Sequence, residues 1–180
     1  MTAIEPLGFD ELRADLADAL RPRYERLGYL GGFFSHMAHQ PDALIAFDSF
    51  TEACKRALPP DLIELVALTA ATRLGNDYER HQHEQLAVRV GLGRDWVAAV
   101  ERLDPDGSGL SVQQRAVQRF VLCAVDTVGR SATSPLDHVV ELLGTPVAVA
   151  VALATGRYLA HAMIANACRL EPPVPSVFDE

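Results

Sequence analysis

Apolar residues recur along this chain at three- and four-residue intervals, as in Leu12, Leu16, Ala19 and Leu20 or in Leu44, Phe47, Phe50 and Cys54. That spacing lays one face of an α-helix against a core. No stretch shows the period of two that a half-buried strand requires, so the pattern predicts an all-α fold of six to eight helices. Helix starts are signalled by Pro41 with Asp42, by Asp61 behind two prolines, by Asn76, by Ser111 with Gln114 as a capping box, by Ser134 with Pro135 and by Thr145 with Pro146. Gly75, Gly91, Gly129 and Gly144 supply the stops. The run from Asp104 to Gly109 is the clearest loop and separates a central region, about residues 40–92, from C-terminal helices over about 111–170. We read residues 1–180 as one domain with a proline-rich tail, 171–180, that cannot be helical and lies along a surface or a neighbouring subunit.

The pattern is broken most informatively between Leu62 and Leu92. The first helix there is apolar from Leu62 to Ala71 except for Glu64 and Thr69, so burial would penalise the charge on Glu64. The second carries Glu79 and His83 at i and i+4, hence on one face. Each has a structural alternative. Glu64 stands three residues after Asp61, and Glu79 three after Asn76, the place from which a glutamate closes a capping box. His83 alone could be a solvated helix residue. Paired with Glu79, its tautomer would be fixed and its basicity raised, which is how a general acid or base is made near neutral pH.

Composition narrows the function classes. Half of the 180 residues are apolar and the formal net charge is -8, with basic and acidic residues interleaved, which argues against a nucleic-acid partner. Cys54, Cys123 and Cys168 are widely spaced in apolar helical contexts, which predicts core thiols in a reducing cytoplasm and no disulfide framework. The longest strongly apolar run, Val147 to Ala154, ends at Gly156 and Arg157, too short to span a bilayer, and no signal-like segment is apparent. His81 and His83 diverge on a helix, and Glu79 meets Gln82 where a di-iron bundle needs histidine, so no metal is expected.

The segment GNDYERHQHEQLAVRVGL resembles the carboxymuconolactone decarboxylase and alkylhydroperoxidase-D superfamily. Decarboxylase-type members show an Asn, then Tyr-Glu-Trp, a His and a closing Gly, matched by Asn76, Tyr78, Glu79, His83 and Gly91. An acidic residue on the preceding helix is matched by Glu64, and a His-Gln-Pro start of an earlier helix by His39, Gln40 and Pro41. The peroxidase branch carries Cys-x-x-Cys where Asn76 and Glu79 stand, and Arg80 replaces the usual Trp. The resemblance implies an alkylhydroperoxidase-D-like helical bundle with a central antiparallel helix pair, a homo-oligomer, and a cofactor-independent enzyme that moves protons on a small carbonyl acid or lactone. It implies catalytic roles for Glu64, Glu79 and His83. A redox-inactive binding or scaffold protein on the same fold is the alternative.

Further residues are candidates for holding the substrate. Arg73 and Arg80 could bind a carboxylate through two hydrogen bonds, or be solvated arginines near helix ends. Tyr78 could donate to an oxyanion or pack between helices. His36 and His39, on the apolar segment FFSHMAH, could line a pocket or fill the core.

Overall fold

The computed structural model describes residues 3–107 and 109–179. Every regular element among them is helical: a 3₁₀ turn, Phe9–Glu11, then α1 (Ala14–Leu27), α2 (Gly32–Met37), α3 (Pro41–Ala57), α4 (Pro60–Arg73), α5 (Asp77–Arg89), α6 (Arg94–Glu101), α7 (Val112–Thr127), α8 (Thr133–Leu143) and α9 (Thr145–Cys168). The fold is all-α as the periodicity predicts, with nine α-helices among the described residues against six to eight expected. The two that sequence signals do not announce are α2 and α6, which are short and follow Gly31 and Gly93 without a side-chain cap. Two of the signals hold to the residue: Ser111 and Gln114 form the reciprocal capping box of α7, and Asn76 caps α5 by accepting from the Glu79 N–H.

The centre of the bundle is α4. Leu65, Val66, Ala67, Leu68 and Ala70 have no exposed surface, because α4 packs on α5, α7 and α9 and also touches α3 and α6. A helix apolar on all sides is stable only when enclosed on all sides. The chain then reverses into α5 through Leu74, Gly75 and Asn76. Gly75 sits at φ 61, a conformation that side chains disfavour, and its N–H is bonded back to the Thr72 carbonyl. A helical hairpin results, with Glu64 near the start of α4 facing His83 on α5.

The long C-terminal helix corrects one expectation. The helix does not end at Gly156: α9 runs on to Cys168, 24 residues in all, and by length and composition alone could cross a membrane. It packs on α3, α4, α7 and α8, and its inner face carries Arg157 and His161, both buried. Such charged and polar groups inside an apolar helix need partners, and they find them in the hairpin.

Beyond α9 the chain turns back as a strap along α5. Val174 and Pro175 offer carbonyls to His81 and Gln85, while the fully buried Glu84 accepts from the Ser176 hydroxyl at 2.5 Å and the Val177 N–H at 2.8 Å. Arg80 pairs with the same carboxylate. The proline-rich tail is thus tied to its own chain. A hydrogen bond to a charged group contributes about 1.5–3 kcal/mol, so we expect Ser176→Ala to destabilise the protein by about that amount in urea unfolding. A loss below about 0.5 kcal/mol, the scatter of ordinary surface changes, would mean that Glu84 does not anchor the strap.

Candidate active site

Glu64, Glu79 and His83 converge. The His83 ring is buried with Nδ1 2.7 Å from Glu64 Oε2 and Nε2 3.2 Å from Glu79 Oε2, and it meets the Tyr158 ring edge-on. The capping alternative for Glu64 fails because α4 begins two residues earlier than the Asp61 signal suggests. Pro59 occupies the cap position and Asp61 instead accepts from Gln114. Glu64 is therefore free to turn inward. Glu79 does sit at the third position after its cap Asn76, but its carboxylate also points into the bundle.

Two residues that sequence reasoning passed over complete the cluster. Arg157 donates from Nη1 to Glu79 Oε2 at 3.0 Å and from Nε to the Thr51 hydroxyl at 3.0 Å, and Thr51 is held by the Phe47 carbonyl. His161 places Nε2 3.1 Å from Glu79 Oε1, stacks on Phe33 at 4.0 Å and lies near-parallel to Tyr78. Both stand on α9 at i and i+4. The logic that singled out Glu64, an ionisable group on an apolar helix, applies equally to them.

The charges in this cluster follow from the contacts. Burial opposes a charged His83, but attraction to Glu64 and hydrogen bonds to Glu64 and Glu79 outweigh it and raise its pKa to about 9. At neutral pH it is an imidazolium donating from both nitrogens. Burial likewise opposes the charge on Glu79, yet His161, Arg157 and His83 together hold it well below the usual carboxylate range. His161 is itself driven the other way. Its burial, reinforced by Arg157 and His83, overcomes the pull of Glu79 and lowers its pKa to about 4. Since His161 is neutral near pH 7, the cations that face Glu79 there are Arg157 and His83. Tyr78 is pushed up to about 12, chiefly by burial. Its hydroxyl accepts from the Phe33 N–H at 3.1 Å and keeps its own proton to donate.

A cavity of about 380 Å³ opens onto this cluster, with Tyr78, Glu79, His83, Arg157 and His161 on its wall. Glu64 lies behind His83 and does not reach it. Arg23, Arg26, Lys55 and Arg89 give the outer wall a basic character against Glu52, and Val174 of the strap closes one side. Four expected ligand-holding residues are placed elsewhere. Arg80 projects away from Glu79 toward Asp77, Glu84 and Glu101, and Arg73 pairs with Asp126. His36 bonds the Gly32 carbonyl and His39 the Glu5 carbonyl. None of the four lines the cavity, because each is satisfied by its own helix or a neighbouring segment.

The architecture and this centre define an all-α protein with a buried acid–base cluster at the junction of α3, α4, α5 and α9. Residues 41–118 match the carboxymuconolactone decarboxylase family. Two structures of the debrominase Bmp8 share the fold. The ligand-free form has a TM-score of 0.81 at 17% identity, covering 97% of this chain and 94% of that one. A cysteine-to-alanine variant in complex with 2,3,4-tribromopyrrole gives 0.80 at 17% identity over 95% and 91%. An uncharacterized peroxidase-related protein with the alkylhydroperoxidase AhpD core, from Ralstonia eutropha JMP134, gives 0.72 at 16% identity over 96% and 94%. No curated protein matches the chain in sequence. The family match covers the segment that holds Glu64, Glu79 and His83, and the fold of the chain is alkylhydroperoxidase-D-like.

The raised pKa of His83 has a definite consequence for stability. A group that binds its proton more tightly folded than unfolded contributes stability that is fully present below the unfolded value of 6.5 and is lost as pH rises through about 9. The unfolding midpoint in urea should therefore fall between pH 6.5 and 9.5, and His83→Gln should remove that part of the fall. Equal slopes for the two proteins would show that His83 is not held as an imidazolium.

Proposed function

We propose that the protein is a cofactor-independent enzyme that transfers protons on a small carbonyl acid or lactone. One observation carries this reading: a buried imidazole between two carboxylates on the wall of a cavity large enough for a small metabolite. Glu64 holds Nδ1, keeps the ring oriented and balances its charge. The Nε2 proton, on the longer contact, is the one available to a bound substrate.

For a β-keto or vinylogous acid the step balances as follows. The carboxylate leaves as carbon dioxide, its bonding electron pair passes into the carbonyl system as an enolate, and His83 returns a proton to carbon. Tyr78 donates to the enolate oxygen from the cavity wall. Arg26 and Arg89, which form no ion pair among the described residues, face the cavity from α1 and α5 and favour an anionic substrate. Thiol chemistry is disfavoured because, among the described residues, no cysteine lines the cavity.

The reading is tested by incubating the protein in D₂O with oxaloacetate, 4-oxopentanoate and a carboxylated γ-lactone, following carbon dioxide loss and carbon–hydrogen exchange by NMR. Turnover above background on at least one is expected, and His83→Gln should lower kcat by about 10²–10⁴. Inertness toward all three acids, or full activity of the variant, would overturn it.

A further inference from the structure

Both α4 and α9 carry apolar residues around their whole circumference, but only α4 is enclosed on every side. α9 is covered on its inner face alone, by α3, α4, α7 and α8. Its one fixed charge, Arg157, points inward to Glu79, which leaves the outer face without charge along its length. Val149 is 52% exposed there, Leu153 50% and Met163 67%; Gly156 and Ala167 are exposed beside them, and Ala160 partly so. So much apolar surface in one row on a folded chain marks a contact.

The spacing says what fits. Val149, Leu153, Gly156, Ala160, Met163 and Ala167 follow one another at intervals of four, three, four, three and four residues. That alternation is the seam of a two-helix contact, in which a second helix seats its side chains between those of the first. A bilayer requires no such register. A helix lying on a membrane also uses basic residues beside its apolar face, whereas this chain has a formal net charge of -8. An uncharged seam calls for an uncharged partner helix, and α9 itself meets that demand. Turned antiparallel about Gly156, the seam sets Val149 opposite Met163 and Ala152 opposite Ala160, with the smallest residues where the backbones approach. A Cβ at Gly156 would meet nothing within 4 Å, so that space is open in the single chain. The 24 residues of α9 offer a footprint of about 36 Å by about 10 Å. The flanking α3 and α8, each with an exposed large apolar residue in Phe50 and Leu142, bring it close to the ~800 Å² per partner of a stable interface.

We propose that the outer face of α9 is where a second copy of this chain docks, the two α9 helices crossing antiparallel on a two-fold axis at Gly156. Each copy then covers the apolar row of the other, which gives α9 the enclosure that α4 finds within its own chain. The inner face of the same helix holds Arg157 and His161, so one element joins the two copies and builds the buried cluster in each.

Sedimentation equilibrium of the wild-type protein should give twice the chain mass. Gly156→Arg has room in the single chain and sets two guanidinium groups against each other at the axis, so it should give a monomer with an unchanged circular dichroism spectrum. Met163→Glu, at an exposed position, should do the same. Oxidative cross-linking reads the register. Gly156→Cys should form a covalent dimer, while Val149→Cys should not exceed wild type, because its two copies would lie about 21 Å apart along the axis. A monomeric wild type, a dimer that survives both charge variants, or cross-linking of Val149→Cys in place of Gly156→Cys overturns the proposal. So does flotation of the wild type with phosphatidylcholine vesicles, which would give this face to a bilayer.

Discussion

A carboxylate inside an apolar bundle is the constraint on which the rest of this structure depends. Glu79 is buried where water reaches it only from one side, and an unpaired charge in such a place is costly. Arg157 supplies the fixed positive charge, because a guanidinium stays protonated in any environment. His83 supplies the second, and Glu64 balances it. Two carboxylates and two cations close the account, leaving His161 neutral beside them. Because these groups come from α4, α5 and α9, with Thr51 of α3 holding Arg157, one electrostatic requirement fixes the relative placement of four helices.

The apolar parts serve that arrangement. Enclosing α4 on all sides removes water from behind Glu64 and His83, which strengthens each contact within the cluster. The aromatic groups Phe33, Phe47 and Tyr78 set the plane of His161. The strap, fastened at Glu84, adds Val174 to the cavity wall. The cluster therefore sits in a largely dry interior with one accessible side, behind a basic outer wall.

The sequence made part of this legible. An ionisable residue on an otherwise apolar helix stands out, and that signal singled out Glu64, with Glu79 and His83 marked by their i, i+4 spacing and the family pattern. The same signal at Arg157 and His161 was masked, since Gly156 and Arg157 read as the end of an apolar run instead of the middle of a 24-residue helix. Which glutamate is a cap depended on two residues of register: Pro59 took the cap position and freed Glu64. Arg80 illustrates a further limit. It follows Glu79 directly, yet one residue turns a helix by roughly 100°, so it faces α6 and the buried Glu84. That Glu84 would hold the tail depends on contacts more than ninety residues apart, which no local pattern encodes.

The central claim is that Glu79 and Arg157 are tolerated only together, and a double-mutant cycle on stability tests it most directly. Arg157→Met alone should be strongly destabilising, by about 3–5 kcal/mol, since it strands a buried carboxylate. Adding Glu79→Gln should recover part of that loss, with an interaction energy of about 1–3 kcal/mol in urea unfolding at pH 7. Losses that simply add, within about 0.5 kcal/mol, would contradict the account and show that the buried charges do not depend on one another.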